Sequence, residues 1–381
     1  MQTVTDPEVD LLLHCVRYCI HGTDAGAVRT RAEKKVDWNV VSEQARHHGV
    51  TPLLFRALES ACPDVVPPPQ FQKLRHYFKV TANRNLFLTG ELFKLVRLLR
   101  NNNIPAVPFK GPVLSILLFG DPTFREFSDL DILVPISDVV RARDVFLANG
   151  YTAKYLIENF ELYTRFGHEL DLVREDQNVE VDLQWRFASK WIAFPIHLGD
   201  FWNHLESHRI GGEQILQPAL DDMLFVLCGH GYRHLWGQLK WIADVAAYMH
   251  TFGETIHWGA TLERATRFGG RRLMLLGLHL AHGVLGTSLP VEIKNAIRCD
   301  TNIEALGMEV FTQMITGPRT SGNSHKSLPF LNKLQFHLKA RERWQDKFPD
   351  PLPYGQCVFY WGQRYVRHYS RRLSAFAGLK Y

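Results

Sequence analysis

The stretch Ser128-Asp129-Leu130-Asp131-Ile132-Leu133-Val134 carries the strongest structural signal in the chain. Residues 130–134 are apolar apart from one aspartate, which predicts a buried β-strand. Asp129 and Asp131 lie two residues apart where this strand begins, so their side chains point to nearly the same side. Two carboxylates in this arrangement repel each other unless a cation neutralises them. Mg²⁺ is the expected cation, because it is a hard ion that binds carboxylate oxygens together with phosphate oxygens.

A strand-to-helix turn precedes this stretch. Residues 104–109 are apolar and interrupted by proline, which indicates a short strand, and residues 113–119 have helical character after Gly111. A glycine in such a turn lets the backbone approach a phosphate closely, and the helix N-terminus favours negative charge. Lys110 adds a point charge at the turn. Arg125, four residues before the acidic pair, is a second candidate phosphate contact.

Two later runs, residues 168–173 and 179–185, predict a β-hairpin, because turn-like residues separate them. In the second run polar residues alternate with apolar ones, so Glu180 and Asp182 share one face. Asp182 is the preferred third carboxylate, while Glu180 and, on the neighbouring strand, Asp171 are the alternatives. Three carboxylates can hold two metal ions, one activating an attacking hydroxyl and the other clamping a triphosphate and its leaving group.

Helical patterns flank this segment on both sides. The first hundred residues have apolar residues at helical spacing, including a long amphipathic pattern over residues 71–100, and helical periodicity returns from Pro218 onward. We therefore expect an α+β fold in which the helices cover a small mixed sheet. The predicted divisions are an N-terminal helical region at 1–103, an α/β core at 104–215 and a C-terminal helical region at 216–381.

The composition is that of a globular protein, with 381 residues, 46% hydrophobic and 22% charged. The net charge of +5 suits an anionic substrate, but it does not by itself indicate a nucleic-acid partner. Six cysteines without a CxxC pair, no signal-peptide pattern and no long apolar run predict a cytoplasmic protein without a membrane partner. Residues 316–327 predict a mobile loop, and the arginines within residues 357–381 predict a solvated helix face rather than an anionic partner site.

The helices predicted after the core carry further candidates. His230 and His234 lie one helical turn apart, as do Lys240 and Asp244. These residues predict either a helical wall that contacts a nucleotide or acceptor, or helix packing around a buried ion pair, and the sequence leaves both open. Zinc is disfavoured because no acidic ligand lies between the two histidines.

The motifs together resemble a known family. The pattern Phe109-Lys110-Gly111, then Arg125, then residues 128–134 resembles the bacterial uncharacterised nucleotidyltransferase family of the polymerase-beta-type superfamily. The resemblance covers about residues 35–300, and it includes the stretch 46–54 and the later helix with His234, residues 240–242 and Asp244.

The resemblance implies an Mg²⁺-dependent enzyme that moves a nucleoside monophosphate from a nucleoside triphosphate, with ATP expected, to an acceptor and releases pyrophosphate. The implied catalytic residues and metal ligands are Asp129, Asp131 and Asp182, holding two Mg²⁺ ions. The implied nucleotide contacts are Lys110, Gly111, Arg125, Ser128, His234, Lys240 and Asp244. The acceptor is expected to be a small molecule or a peptide, since some family members are encoded beside genes for ribosomal peptide biosynthesis.

This chain departs from the related patterns at two positions. Most of the superfamily has Gly-Ser where this chain has Lys110-Gly111, and the family often has a histidine where this chain has Gln184. Two alternatives stay open at this point: a non-catalytic scaffold of the same fold that binds a nucleotide or peptide, and kinase-like transfer of the γ-phosphate.

Overall fold

The computed structural model describes the chain at residues 6–22, 24–155, 157, 159–165, 167–187, 196, 198–316 and 330–343. The predicted basic stretch at residues 357–381 lies outside these ranges, as do residues 317–327 of the predicted loop. Within the described ranges, no helix has both the length and the apolar character that crossing a membrane requires.

The N-terminal part is helical, as predicted. Its helices are α1 (Pro7–His21), α2 (Ala25–Ala32), α3 (Trp38–His47), α4 (Thr51–Ala61) and α5 (Pro68–Asn101). The carboxylate of Asp6 accepts hydrogen bonds from the first turn of α1, and that of Asp37 does so for α3. Such caps satisfy backbone N–H groups that have no partner within the helix, which explains why these helices begin where they do.

A mixed sheet follows, and it confirms the predicted fold class. The elements are β1 (Val107–Pro108), α6 (Gly111–Phe119), β2 (Asp129–Leu133), α7 (Val139–Ala148), β3 (Thr152–Ala153), α8 (Phe160–Thr164), β4 (Glu169–Arg174), β5 (Val179–Gln184), α9 (Leu198–Asn203), β6 (Glu206–Ile210) and β7 (Glu213–Gln217). The first five strands form one sheet in the order β1-β2-β5-β4-β3, and β6 and β7 form a separate hairpin. The strands β4 and β5 form the predicted hairpin, and β5 pairs parallel to β2.

The two faces of this sheet differ in chemistry. Leu130 and Ile132 of β2 and Val181 and Leu183 of β5 are fully buried, and they share an apolar core with α5 and α7. Because side chains alternate along a strand, the residues between them point to the opposite face. That opposite face carries the acidic residues of β2, β4 and β5.

The C-terminal part is helical again. Its helices are α10 (Leu220–Arg233), α11 (Leu239–Phe252), α12 (Trp258–Phe268), α13 (Arg271–Leu285), α14 (Val291–Arg298), α15 (Thr301–Thr316) and α16 (Phe330–Ala340). The N-terminal helix α1 packs against α11 and α13, so residues from both ends of the described chain share one large apolar core. This arrangement places α10 and α11 close to the start of β2.

Candidate active site

Carboxylates from three neighbouring strands meet on the polar face of the sheet. Asp131 on β2 lies directly beside Asp182 on β5, and Asp171 on β4 lies beside Asp182 on its other side. Asp129 lies beside Glu180, two residues earlier in each of these two strands. Because neighbouring strands are roughly 4.8 Å apart, side chains at one level can reach the same ligand. The strand register therefore brings the three predicted aspartates to one place.

Asp131 already has two hydrogen-bond donors. The Lys110 ammonium and the Gln184 side-chain amide both donate to Oδ1 of Asp131, each over 2.9 Å. All three residues are buried, with exposed fractions of 8% for Lys110, 2% for Gln184 and 8% for Asp131. The sequence predicted Lys110 as a phosphate contact, but gave no role to Gln184. The signal that pointed to Gln184 is its position two residues after Asp182, on the same face of β5.

The turn before α6 holds Lys110 against the acidic strand. Gly111 has a φ of +53°, in the left-handed region that glycine adopts without the steric penalty of a side chain. A Cβ atom at this position would lie 3.6 Å from the backbone oxygen of Asp129, which shows how closely the turn passes the start of β2. The N-terminus of α6 and its N–H groups thus lie beside the acidic pair, which is the arrangement that phosphate binding at a helix N-terminus requires.

The aspartates repel one another in the protein alone. Burial, together with the charge of Asp131, raises the pKa of Asp129 above its ordinary value. Burial and the charges of Asp131, Asp129, Glu169 and Asp171 raise the pKa of Asp182 to about 9. A carboxylate that keeps its proton at neutral pH has too little positive charge around it. These shifts therefore indicate a place where a bound cation is stabilised.

The donor set fits Mg²⁺, but only with further ligands. Within the described residues, no group of three or more His, Cys, Asp or Glu side chains is placed so that it could hold a metal ion by itself. Mg²⁺ is usually held by one or two carboxylates together with substrate phosphates and water, rather than by a cage made of protein alone. Oxygen donors on adjacent strands beside a helix N-terminus match that pattern, in which phosphate oxygens complete the coordination.

The raised pKa of Asp182 predicts how stability depends on pH. The folded chain keeps a proton on Asp182 up to about pH 9, whereas an unfolded chain releases it near the ordinary value of 3.8. The stability from this proton is therefore complete below about pH 4 and is lost as the pH rises towards 9, by at most about 1.4 kcal/mol per pH unit. We expect the melting temperature to fall between pH 6 and 9, and Mg²⁺ to raise it more at pH 9 than at pH 6.

Thermal melts of Asp182→Asn measure this contribution, because asparagine cannot titrate and should flatten the fall. Glu180→Gln is the matched control: its carboxylate lies on the same face but is half exposed and 2.8 Å from the Lys154 ammonium. An Asp182→Asn protein that loses stability with pH as steeply as the wild type would contradict the assignment.

Arg125 and Asp244 form a buried ion pair. Nε of Arg125 donates to Oδ1 of Asp244 over 2.8 Å, and Nη2 donates to Oδ2 over 2.9 Å. Arg125 is 8% exposed and Asp244 is 5% exposed. The buried ion pair that the sequence left open as an alternative thus exists, with Arg125 as the partner of Asp244. Ser128, at the start of β2, is exposed.

Lys240 reaches the acidic face from α11. Burial and the nearby charge of Arg125 lower the pKa of Lys240, while the carboxylates of Asp244, Glu126 and Asp129 oppose this shift. The loop after α3 fixes the position of Lys240, whose backbone N–H donates to the carbonyl of His48 over 3.1 Å. A Cβ atom at Gly49 would lie 2.7 Å from Cδ of Lys240, so glycine is needed to let the lysine side chain pass.

One partly buried residue joins the N-terminal helices to this site. Oε1 of Glu126 accepts a hydrogen bond from the backbone N–H of Thr51, at the start of α4, over 3.2 Å. Burial raises the pKa of Glu126. The sequence pattern gave no role to Glu126, although its position between Arg125 and the acidic pair was a usable signal.

The two histidines of the predicted helical wall differ in their surroundings. Burial and the positive charge of Lys110 pull the pKa of His230 well below its ordinary value, so His230 is neutral and lies close to the Lys110 ammonium. His234 is exposed, and its ring stacks on that of Trp241 with centroids 4.7 Å apart and an interplanar angle of 21°. The predicted helical wall thus contains a neutral histidine, His230, close to Lys110, and a stacked pair of rings, His234 on Trp241.

Comparison with known proteins identifies a family. A family model described as uncharacterised nucleotidyltransferase matches residues 34–286, a segment that contains every predicted site residue. No curated protein and no solved structure matches the chain. The match covers well over half of the chain, which therefore belongs to the uncharacterised nucleotidyltransferase family.

Proposed function

We propose that this protein transfers a nucleoside monophosphate from a nucleoside triphosphate to an acceptor, in an Mg²⁺-dependent reaction that releases pyrophosphate. The observation that carries the proposal is the placement of Asp131 beside Asp182, with Asp129 on the same face. The raised pKa values of Asp129 and Asp182 support it, because burial and the charges of neighbouring carboxylates both disfavour the ionised aspartates, and a bound cation would offset this. Membership of a nucleotidyltransferase family supports the reaction class.

Asp129, Asp131 and Asp182 would hold Mg²⁺ through carboxylate oxygens. When bound, the ion neutralises charge on the triphosphate and on the leaving pyrophosphate. Asp182 belongs in this set rather than Asp171, because Asp182 is on the strand that pairs directly with β2.

The phosphates would lie between α6 and α11. No side chain caps the N-terminus of α6, so N–H groups of its first turn can donate to phosphate oxygens. Lys110 offers positive charge from the same turn, and Lys240 offers it from α11, close to Asp129. Two cations on opposite elements hold a triphosphate in one orientation, which favours in-line attack.

The transfer step follows from these positions. The acceptor oxygen forms a bond to the α-phosphorus, while the bond between that phosphorus and the oxygen leading to the β-phosphate breaks. The electron pair leaves with pyrophosphate, and the acceptor proton passes to the carboxylate of Asp182 and then to solvent. Burial raises the proton affinity of Asp182, which suits it to receive this proton once it is ionised.

The co-substrate is ATP in this proposal, and the acceptor is a small molecule or a peptide. The exposed His234 ring, stacked on Trp241, offers a flat surface close to the site for the base or for an acceptor ring. We place the reaction in the cytoplasm, where nucleoside triphosphates and Mg²⁺ are available.

Product analysis tests the reaction class. The protein is incubated with Mg²⁺, each nucleoside triphosphate and a panel of small-molecule and peptide acceptors, with water as the acceptor in their absence. We expect pyrophosphate, together with an acceptor whose intact mass has increased by one nucleoside monophosphate. Release of nucleoside diphosphate instead of pyrophosphate would show γ-phosphate transfer and contradict the proposal.

One observation favours a second candidate, a non-catalytic nucleotide-binding scaffold. The Lys110 ammonium already pairs with Asp131, so part of the acidic face is neutralised without any metal ion. Such a scaffold would bind nucleotide in calorimetry and release neither pyrophosphate nor nucleoside diphosphate, even on prolonged incubation with water as acceptor.

A further inference from the structure

The contact between Lys110 and Asp131 limits what Asp131 can offer to a metal ion. A carboxylate oxygen has about two lone pairs that can accept hydrogen bonds. Oδ1 of Asp131 uses both, one for the Lys110 ammonium and one for the Gln184 amide, each at 2.9 Å. Asp131 therefore has one oxygen, Oδ2, left for an ion. A carboxylate that bridges two ions roughly 4 Å apart has to serve both of them.

The Lys110 ammonium is held in this position. Its side chain is 9% exposed, and Nζ lies 4.9 Å from the centre of the Phe109 ring. The residue after Lys110, Gly111, has left-handed backbone dihedrals, and this turn fixes the direction of the backbone at Lys110. A buried ammonium that moves away from its carboxylate leaves both charges without a partner, which is strongly unfavourable. Lys110 is thus a fixed cation of the site.

We propose that the Lys110 ammonium takes the place of one metal ion, so that the site binds a single Mg²⁺ through one or two of the carboxylates of Asp129, Asp131 and Asp182, with phosphate oxygens and water completing its coordination. The remaining N–H groups of the ammonium contact the nucleotide phosphates, so Lys110 bridges carboxylate and phosphate as a second ion would. This inference rests on the proposed function, and it replaces the two ions expected from the sequence by one.

The number of bound ions tests the inference. Mn²⁺ is titrated into the wild-type protein with a triphosphate whose α,β-bridging oxygen is replaced by methylene, and electron paramagnetic resonance counts the free ion. We expect one Mn²⁺ per chain, held less tightly in Asp129→Asn. Two ions in the wild type would overturn the inference and leave the proposed function standing. No bound ion, or one that Asp129→Asn and Asp182→Asn both leave unaffected, would overturn the proposed function as well.

The variant Lys110→Met gives the reciprocal result. Methionine has a similar length but no charge, so we expect the protein to melt at a lower temperature without metal and to bind two Mn²⁺. Lys154→Met is the matched control, since Lys154 also pairs with a carboxylate of this face, Glu180, over 2.8 Å but is more exposed. It should keep one ion. One ion in a folded Lys110→Met protein would overturn the inference, and if that variant does not fold, the wild-type count decides.

Discussion

Asp129→Asn and Asp131→Asn are each expected to reduce Mg²⁺-dependent pyrophosphate release by roughly 100- to 1000-fold or more, the loss seen when one charge-stabilising group is removed. Each substitution keeps the shape of the side chain but removes the negative charge that would attract the ion. In Asp131→Asn the Lys110 ammonium also loses the carboxylate to which it donates. Both effects weaken the neutralisation of charge on which phosphoryl chemistry depends.

Stopped-time assays of pyrophosphate release, at saturating nucleotide and over a range of Mg²⁺ concentrations, measure this loss. Glu180→Gln is the matched control, because Glu180 lies on the same face, beside Asp129, but pairs with Lys154 and is half exposed. It should retain most of the activity. Circular dichroism has to show that the aspartate variants are folded. Folded Asp129→Asn and Asp131→Asn proteins with wild-type turnover would exclude the proposed mechanism.

Asp244→Asn is expected to destabilise the protein by about 3–5 kcal/mol, the loss typical of breaking a buried ion pair from one side. The Arg125 guanidinium would remain buried with a neutral partner in place of two charge-assisted hydrogen bonds. In the wild type the charge and hydrogen bonds of Asp244 outweigh burial and raise the pKa of Arg125. Without that charge the guanidinium still keeps its proton, because arginine is not deprotonated in proteins, so the variant holds a buried charge without a counter-charge. The double variant Arg125→Met/Asp244→Leu should recover much of the stability, because it leaves no buried charge.

Urea unfolding of Arg125→Met, Asp244→Leu and the double variant, without nucleotide, measures the coupling between Arg125 and Asp244. The pair of Arg29 with Asp64 is the control: it also makes two hydrogen bonds, but both residues are exposed. Arg29→Met should therefore have a much smaller effect, since water screens the charges. If Asp244→Asn were no less stable than the wild type and only bound nucleotide more weakly, Asp244 would be a ligand contact rather than a structural anchor.

These predictions also separate two roles that the sequence had left combined. Arg125 and Asp244 were predicted as nucleotide contacts, and in the structure their charged groups contact each other. The pair joins the loop before β2 to α11, and α11 also carries Lys240 towards Asp129. Its effect on nucleotide binding remains a prediction, which the same variants test once their stability is known.

Much of the fold followed from local pattern. The alternation of Val179, Val181 and Leu183 with polar residues allowed only one face of β5 to be buried, and that placed Asp182 on the polar face. The same rule placed Asp129 and Asp131 together. The helices could be predicted in the same way, since the amphipathic pattern over residues 71–100 lies within α5. These features depend on residues close in sequence, because the backbone geometry of a strand or helix repeats regularly and fixes the directions of neighbouring side chains.

The ion-pair partners of the charged side chains could not be predicted from local sequence patterns. Arg125 and Asp244 are separated by 119 positions in the sequence, and Lys110 and Asp131 by 21. The sequence paired Lys240 with Asp244, because one helical turn separates them. It could not show that Arg125, on the loop before β2, forms the ion pair with Asp244. Which charged side chains form ion pairs depends on how the helices pack against the sheet. From the sequence alone, several residues of opposite charge are equally suitable partners for each of them.

The sequence alone predicted a mixed sheet between helical regions, with Asp129 and Asp131 on one side of a strand beside a Lys-Gly turn and Asp182 as the preferred third carboxylate, because period-two alternation and turn chemistry are local. Only the tertiary structure decided that Asp131 beside Asp182 shares its oxygen Oδ1 between Lys110 and Gln184, and that α11 brings Lys240 to the same face. The physical reason is that a buried charge requires a partner, and the fold determines which residue lies close enough to be that partner.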